Sequence, residues 1–181
     1  MENNMKTNTY TPLKSATVTY RLTITAMFAA LACIATMLIQ IPSPTNGYIN
    51  LGDCIVILSG LMLGPVYGGL AAGIGSMLAD VLSGYMYYAP GTFTIKLLMA
   101  VAAFFIYKLL SNSSKIPYFI SATSAALAAE AIMVFGYFVY AGVFLGGGLG
   151  AAAGIPANIV QGVAAMIISV LLYSILKKIK L

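Results

Sequence analysis

INLGDCIVILSGLMLGPVYGGLAAGIGSMLADVLSGYMYYAPGTFTIK, residues 49–96, is mostly apolar. Yet it holds Asp53 and Asp80, two of the chain's four acidic residues, and Lys96, the only cation outside the basic segments. It also carries a run of glycines and the tyrosines Tyr85, Tyr87 and Tyr88. Charge is costly in a bilayer, so charges set sparsely into apolar sequence are candidates for a site. The whole chain of 181 residues is 61% hydrophobic and 7% charged. A soluble domain is about 25% charged. The composition is that of an integral membrane protein, and the bilayer is its first partner.

Working outward, apolar segments of spanning length alternate with short loops. The pattern predicts an all-α membrane protein of a single domain, 1–181, with six transmembrane helices at about 16–38, 51–64, 66–84, 92–110, 118–140 and 152–176. Helix 2 is short for a span, and Gly64-Pro65 separates it sharply from helix 3. QIPSPTNGYIN (40–50), YMYYAPG (85–91), SNSSKIP (111–117) and GVFLGGGLG (142–150) are the loops. No short apolar core with a small-residue cleavage site follows the polar start, so no cleaved signal peptide is expected.

Orientation follows from the cations. Lys6, Lys14 and Arg21 precede or begin helix 1, Lys108 and Lys115 flank the turn between helices 4 and 5, and Lys177, Lys178 and Lys180 follow helix 6. Cationic loops stay in the cytoplasm. Six spans with both termini cytoplasmic satisfy that rule. Merging helices 2 and 3 leaves five spans and sets the basic tail opposite the basic start. The net charge of +5 therefore marks topology, not nucleic acid.

The same orientation gives each polar group a depth. Asp53, Asp80, Lys96, Asn158 and Gln161 fall near the outer ends of their helices, with Tyr48, Tyr85, Tyr87 and Tyr88 at that level. Glu130 lies mid-way along helix 5. Lys96 can pair with Asp53 or Asp80 and tie helices together, or these groups can line a polar cavity. Asp53 is either an N-terminal helix cap or a ligand contact. The tyrosines are either an ordinary interfacial belt or ligand contacts. Glu130 is a pocket wall or an interhelical hydrogen bond. Gly60, Gly64 and Gly68, and Gly69 and Gly73, have the spacing of close helix contacts. Ala26 and Ala30 form a further small pair, facing either the protein interior or a partner.

Several chemistries are excluded. Histidine is absent, which removes the commonest metal ligand and general base. Cys33 and Cys54 stand singly in apolar sequence. There is no GxxxxGK[ST] loop, so no ATP site of that class. No enzyme activity, metal or cofactor is expected. The open classes are a membrane solute-binding subunit, a self-sufficient proton-coupled secondary transporter and a structural membrane protein.

The blocks LGD, LGPVYGG, ADVLSGY and APGTFTIK resemble the substrate-binding S components of energy-coupling factor (ECF) vitamin transporters. Within them the chain is most similar to the hydroxymethylpyrimidine and pyridoxine-type group. The resemblance implies a subunit that captures a small water-soluble vitamin or precursor from outside. It would work with a transmembrane coupling protein and two ATPase subunits, which bind the ATP. It implies substrate contacts from Asp53, Asp80, Tyr85, Tyr87, Tyr88, Lys96, Glu130, Asn158 and Gln161. Ala26 and Ala30 match the family's AxxxA motif, which implies a partner-binding face. A bacterial plasma membrane is the implied location, and a riboflavin-type S component is the nearest alternative. Tryptophan, typical of the thiamine-binding members, is absent.

Overall fold

The structure, a computed structural model, describes residues 17–43, 47–113 and 116–177. Lys6, Lys14, Lys115, Lys178 and Lys180 lie outside the described residues. Six α-helices carry the fold: α1 (Val18–Leu38), α2 (Gly52–Leu63), α3 (Pro65–Leu82), α4 (Ala89–Ser111), α5 (Tyr118–Val139) and α6 (Ile155–Leu176). Among the described residues five segments are long and apolar enough to cross a membrane; α2, at 12 residues, is shorter.

Local chemistry sets the ends. The Thr17 hydroxyl accepts from the Tyr20 amide and caps α1. Gly64 takes φ +86°, which L side chains avoid, and Pro65 opens α3 at once. Chain reversal at this point is visible in the contacts: the Ser59 hydroxyl donates toward the Gly68 carbonyl at 3.0 Å. Pro90 sits in the first turn of α4, so that helix begins at Ala89, ahead of the expected 92. Proline there costs no hydrogen bond because its amide would be unpaired anyway. After α5 the chain makes a π-helical turn (Tyr140–Phe144) and a 3-10 segment (Gly148–Gly154) before α6. The loop after α1 is not wholly irregular: β1 (Ile41–Pro42) pairs antiparallel with β2 (Tyr48–Ile49).

Helix α2 is the centre. It packs against α1, α3, α4 and α6, and Val56, Ile57, Leu58 and Leu61 are fully buried. The glycine spacing serves this internal packing. A Cβ on Gly60 would meet the Ala100 backbone, and one on Gly68 the Ser59 backbone. Only glycine permits these approaches. The outer surface is apolar instead: Leu31, Ile34, Phe105, Leu109, Leu127, Phe135, Leu171 and Ile175 are exposed. Such a surface suits lipid rather than water. On α1, Ala26 and Ala30 are also exposed, so that small pair does not serve internal packing.

Candidate functional site

Contacts fix one end of the bundle as the meeting place of the sparse polar groups. Asp53 from the start of α2, Lys96 from the first turns of α4 and Gln161 from the first turns of α6 meet in the interior. Lys96 Nζ forms an ion pair with Asp53 Oδ1. Gln161 Nε2 donates to Asp53 Oδ2 at 2.6 Å, and Gln161 Oε1 accepts from the Asn50 amide at 2.8 Å. Lys96 Nζ also stands 5.2 Å from the centre of the Tyr137 ring. Asp53 is 0% exposed, Lys96 2% and Gln161 2%. The pair neutralises itself, and each remaining oxygen or amide finds a partner, the condition under which buried charge is tolerated.

This arrangement removes the capping reading of Asp53, whose oxygens bond Lys96 and Gln161. Its carboxylate makes no capping bond at the start of α2. Asn50 does that work, its Oδ1 accepting from the Gly52 amide at 2.9 Å. The partner of Lys96 is Asp53, not Asp80.

Asp80 belongs to a second tier, nearer the loops. Tyr48 on β2 donates to Asp80 Oδ1 at 2.6 Å, while Oδ2 is buried without a hydrogen-bond partner among the described residues. Burial and the neighbouring Asp80 carboxylate both push the Tyr48 phenol up from its ordinary pKa, so it keeps its proton and donates. Gln40 Nε2 donates to Ser83 Oγ at 2.8 Å, a further tie from the chain between α1 and β1 to the end of α3. Beneath this hairpin lies a polar cavity of about 40 Å³, lined by Tyr48, Asp80, Tyr88, Thr92, Tyr137, Asn158 and Gln161 among others. Small residues of the loop before α6, Ala151 and Gly154, complete the wall. The volume suits a water or two, far below the roughly 300–1,000 Å³ of small-molecule sites. Ser43, Gly47 and Tyr48, in and beside the hairpin, line the cavity.

The expected residues therefore separate. Asp80, Tyr88, Asn158 and Gln161 line one cavity. Asp53 and Lys96 lie beneath it as a self-satisfied pair. Tyr85 packs on Tyr48, with ring centres 4.6 Å apart, and Tyr87 on Tyr88, at 5.2 Å, so both are rim residues. Glu130 does not reach the cavity; it lines a different hollow between α5 and α6. Asn50, Thr92 and Tyr137 were not singled out from sequence. Thr92 is one helical turn before Lys96 and Tyr137 two turns after Glu130, so helical spacing from the charged residues locates both. Their hydroxyls lie 3.0 Å apart and couple α4 to α5.

Comparison with known proteins gives the assembly a context. Residues 16–178 match the family model described as "ECF-type riboflavin transporter, S component". The chain belongs to this family. It is a multi-pass membrane protein, the substrate-binding subunit of an ECF transporter, and not an enzyme. It is also 38% identical over 146 residues to an uncharacterized protein of Pyrococcus woesei, described as lying in a gap 3′ region. That match covers 80% of this chain and 93% of the relative. Among solved structures it is similar to one titled "Structure and mechanism of the S component of a bacterial ECF transporter". The TM-score is 0.65 at 21% identity, covering 88% of this chain and 96% of the other, a likeness of fold.

Proposed function

We propose that this subunit captures a small water-soluble heteroaromatic vitamin, or a vitamin precursor, from outside the cell. The observation that carries this reading is the convergence of Asp80 from α3 and of Asn158 and Gln161 from α6 on one polar cavity under the β1–β2 hairpin. Asp80 offers an acceptor that is not fully used, and Asn158 and Gln161 offer neutral hydrogen bonds. Tyr88 and Tyr137 supply aromatic walls. Such a mixture suits a flat ring bearing hydroxyl or amine groups. The Lys96–Asp53 pair beneath is the rigid floor that holds α2, α4 and α6 in register.

Six spans with both termini in the cytoplasm put this end of the bundle outside, at the face where a nutrient arrives. The hairpin would lift to admit the substrate and close over it. A transmembrane coupling protein would dock on the exposed α1 face at Ala26 and Ala30. Two cytoplasmic ATPase subunits would supply the energy, and ATP would bind to those chains. A bacterial plasma membrane is the proposed location. Substrate identity divides into two readings. The sequence blocks favour a pyridoxine-like or hydroxymethylpyrimidine substrate, and the name of the matching family favours riboflavin.

The test is direct. Small molecules retained by the purified protein are released and identified by mass spectrometry. Binding of pyridoxine, hydroxymethylpyrimidine and riboflavin is then titrated. One of them should bind, and Asp80→Asn should weaken it at least tenfold. Binding that survives both Asp80→Asn and Asn158→Leu unchanged would remove the site from this cavity.

A further inference from the structure

Glu130 has no part in the site just described. It is 6% exposed, and neither carboxylate oxygen has a hydrogen-bond partner among the described residues. A buried carboxylate in that condition is costly and awaits either a proton or a cation. The obvious partners inside the bundle are already engaged. Lys96 is paired with Asp53, and the Gln161 amide donates to the same carboxylate. Because Asp53 and Lys96 cancel, an ionised Glu130 leaves this part of the interior with one net negative charge.

The surroundings of Glu130 form a groove of about 410 Å³ between α5 and α6, a volume within the small-molecule range. Apart from the carboxyl, its walls are apolar: Leu127, Val134, Phe135, Phe138, Ile159 and Val163. Gly162 on α6 gives the carboxyl its room, since a Cβ there would stand 3.0 Å from Oε2. Leu127, Phe135, Ile159 and Val163 are exposed on the bundle's apolar exterior, so the groove opens sideways toward lipid. Phe138 and Ile155 line both this groove and the polar cavity and form the partition between them.

We propose that the α5/α6 groove is a second ligand site, entered from the bilayer, which takes an apolar molecule carrying one protonated amine. The ammonium would sit on Glu130 and the apolar body along α5 and α6. Charge complementarity selects this occupant. A hydrocarbon or an apolar alcohol would fill the groove but leave the carboxylate without a cation, and an anion would be repelled. The amine of a zwitterionic lipid headgroup does not descend that far. Glu130 lies about 18 Å along α5 from Tyr118 and about 13 Å from Val139, well inside the hydrocarbon layer.

The test uses the full chain purified in detergent, with n-octylamine and n-octanol as probes, read by native mass spectrometry and by competition titration. Octylamine should bind once per chain, at least tenfold more tightly than octanol. Glu130→Gln, which keeps the shape of the side chain, should weaken octylamine at least tenfold. Val163→Trp, at a 47% exposed position, should block the groove without altering the carboxyl, and it serves if Glu130→Gln fails to fold. Octylamine bound equally by the wild type and by either variant overturns the proposal, as does octanol bound as tightly as octylamine. Neither Glu130 nor Val163 lines the polar cavity, so such a failure leaves vitamin capture untouched.

Discussion

Replacing Lys96 by methionine keeps the apolar stem of the side chain and removes its ammonium. Asp53, 0% exposed, would then hold a negative charge with only the Gln161 amide against it. Removing one member of a buried ion pair costs about 3–5 kcal/mol. Because the Gln161 bond survives, the lower end applies, about 3 kcal/mol. For a chain of this length that corresponds to a fall of about 6–12 °C in Tm. The double variant Asp53→Asn/Lys96→Met removes both charges and leaves an amide where Gln161 can still donate. It should regain more than half of the loss, because replacing a whole buried pair by neutral groups is often nearly neutral. Cys54, itself 6% exposed, is a convenient reporter. In a Cys33→Ser background its reaction with a fluorogenic maleimide during heating in detergent follows unfolding. A loss below about 1 kcal/mol for Lys96→Met, or a double variant no more stable than the single one, would refute the reasoning that the pair is a structural floor. The sequence alone left Lys96 open between a pair that ties helices together and a cavity wall, and the family resemblance implied a ligand contact.

Tyr48→Phe should free the β1–β2 hairpin. It strips the remaining bond from the buried Asp80 carboxylate at a cost of about 1–3 kcal/mol, read as faster hydrogen exchange in the hairpin. The Tyr48 phenol is held above its ordinary pKa of 10.0 by burial and by Asp80, so its proton and its bond are fully present below that value. Hairpin protection in the wild type should accordingly be flat from neutral pH to about pH 9 and be lost only as pH rises beyond 10.0. A decline between pH 7 and about pH 9 would point to another titrating group. Ala26→Trp should leave ligand affinity unchanged and lower uptake at least tenfold when the coupling subunits are co-expressed. Normal uptake removes the docking role from this face.

Much of the architecture was legible because the bilayer imposes length and polarity on each segment. The helix limits fall within a few residues of those read from hydropathy and turn residues. The displacements have local causes, such as Pro90 entering the first turn of α4 where it had been assigned to the loop. Alternating helix direction led to the expectation that Asp53, Asp80, Lys96 and Gln161 lie at one level; their contacts instead set Asp80 on Tyr48, in a tier apart from the Asp53–Lys96–Gln161 cluster. What sequence could not give was azimuth. Only Asp53 faces Lys96, and that depends on how α2 and α4 are rotated about their close contact at Gly60 and Ala100. Azimuth likewise turned Glu130 toward the α5/α6 seam. The capping role went to Asn50 because its side chain reaches the Gly52 amide, while Asp53 is already committed to Lys96 and Gln161.

The shortness of α2 has a consequence for biogenesis. Its 12 residues reach about 18 Å, against a hydrocarbon layer of about 30 Å, and its first turn carries an aspartate. A segment of that kind does not partition into lipid by itself. Its counter-charge arrives 43 residues later in the chain, and the second partner of the same carboxylate 108 residues later. The burial of α2 therefore rests on partners that are made after it, Lys96 on α4 and Gln161 on α6. The central helix of the finished bundle has its one charge satisfied only once the chain through Gln161 exists.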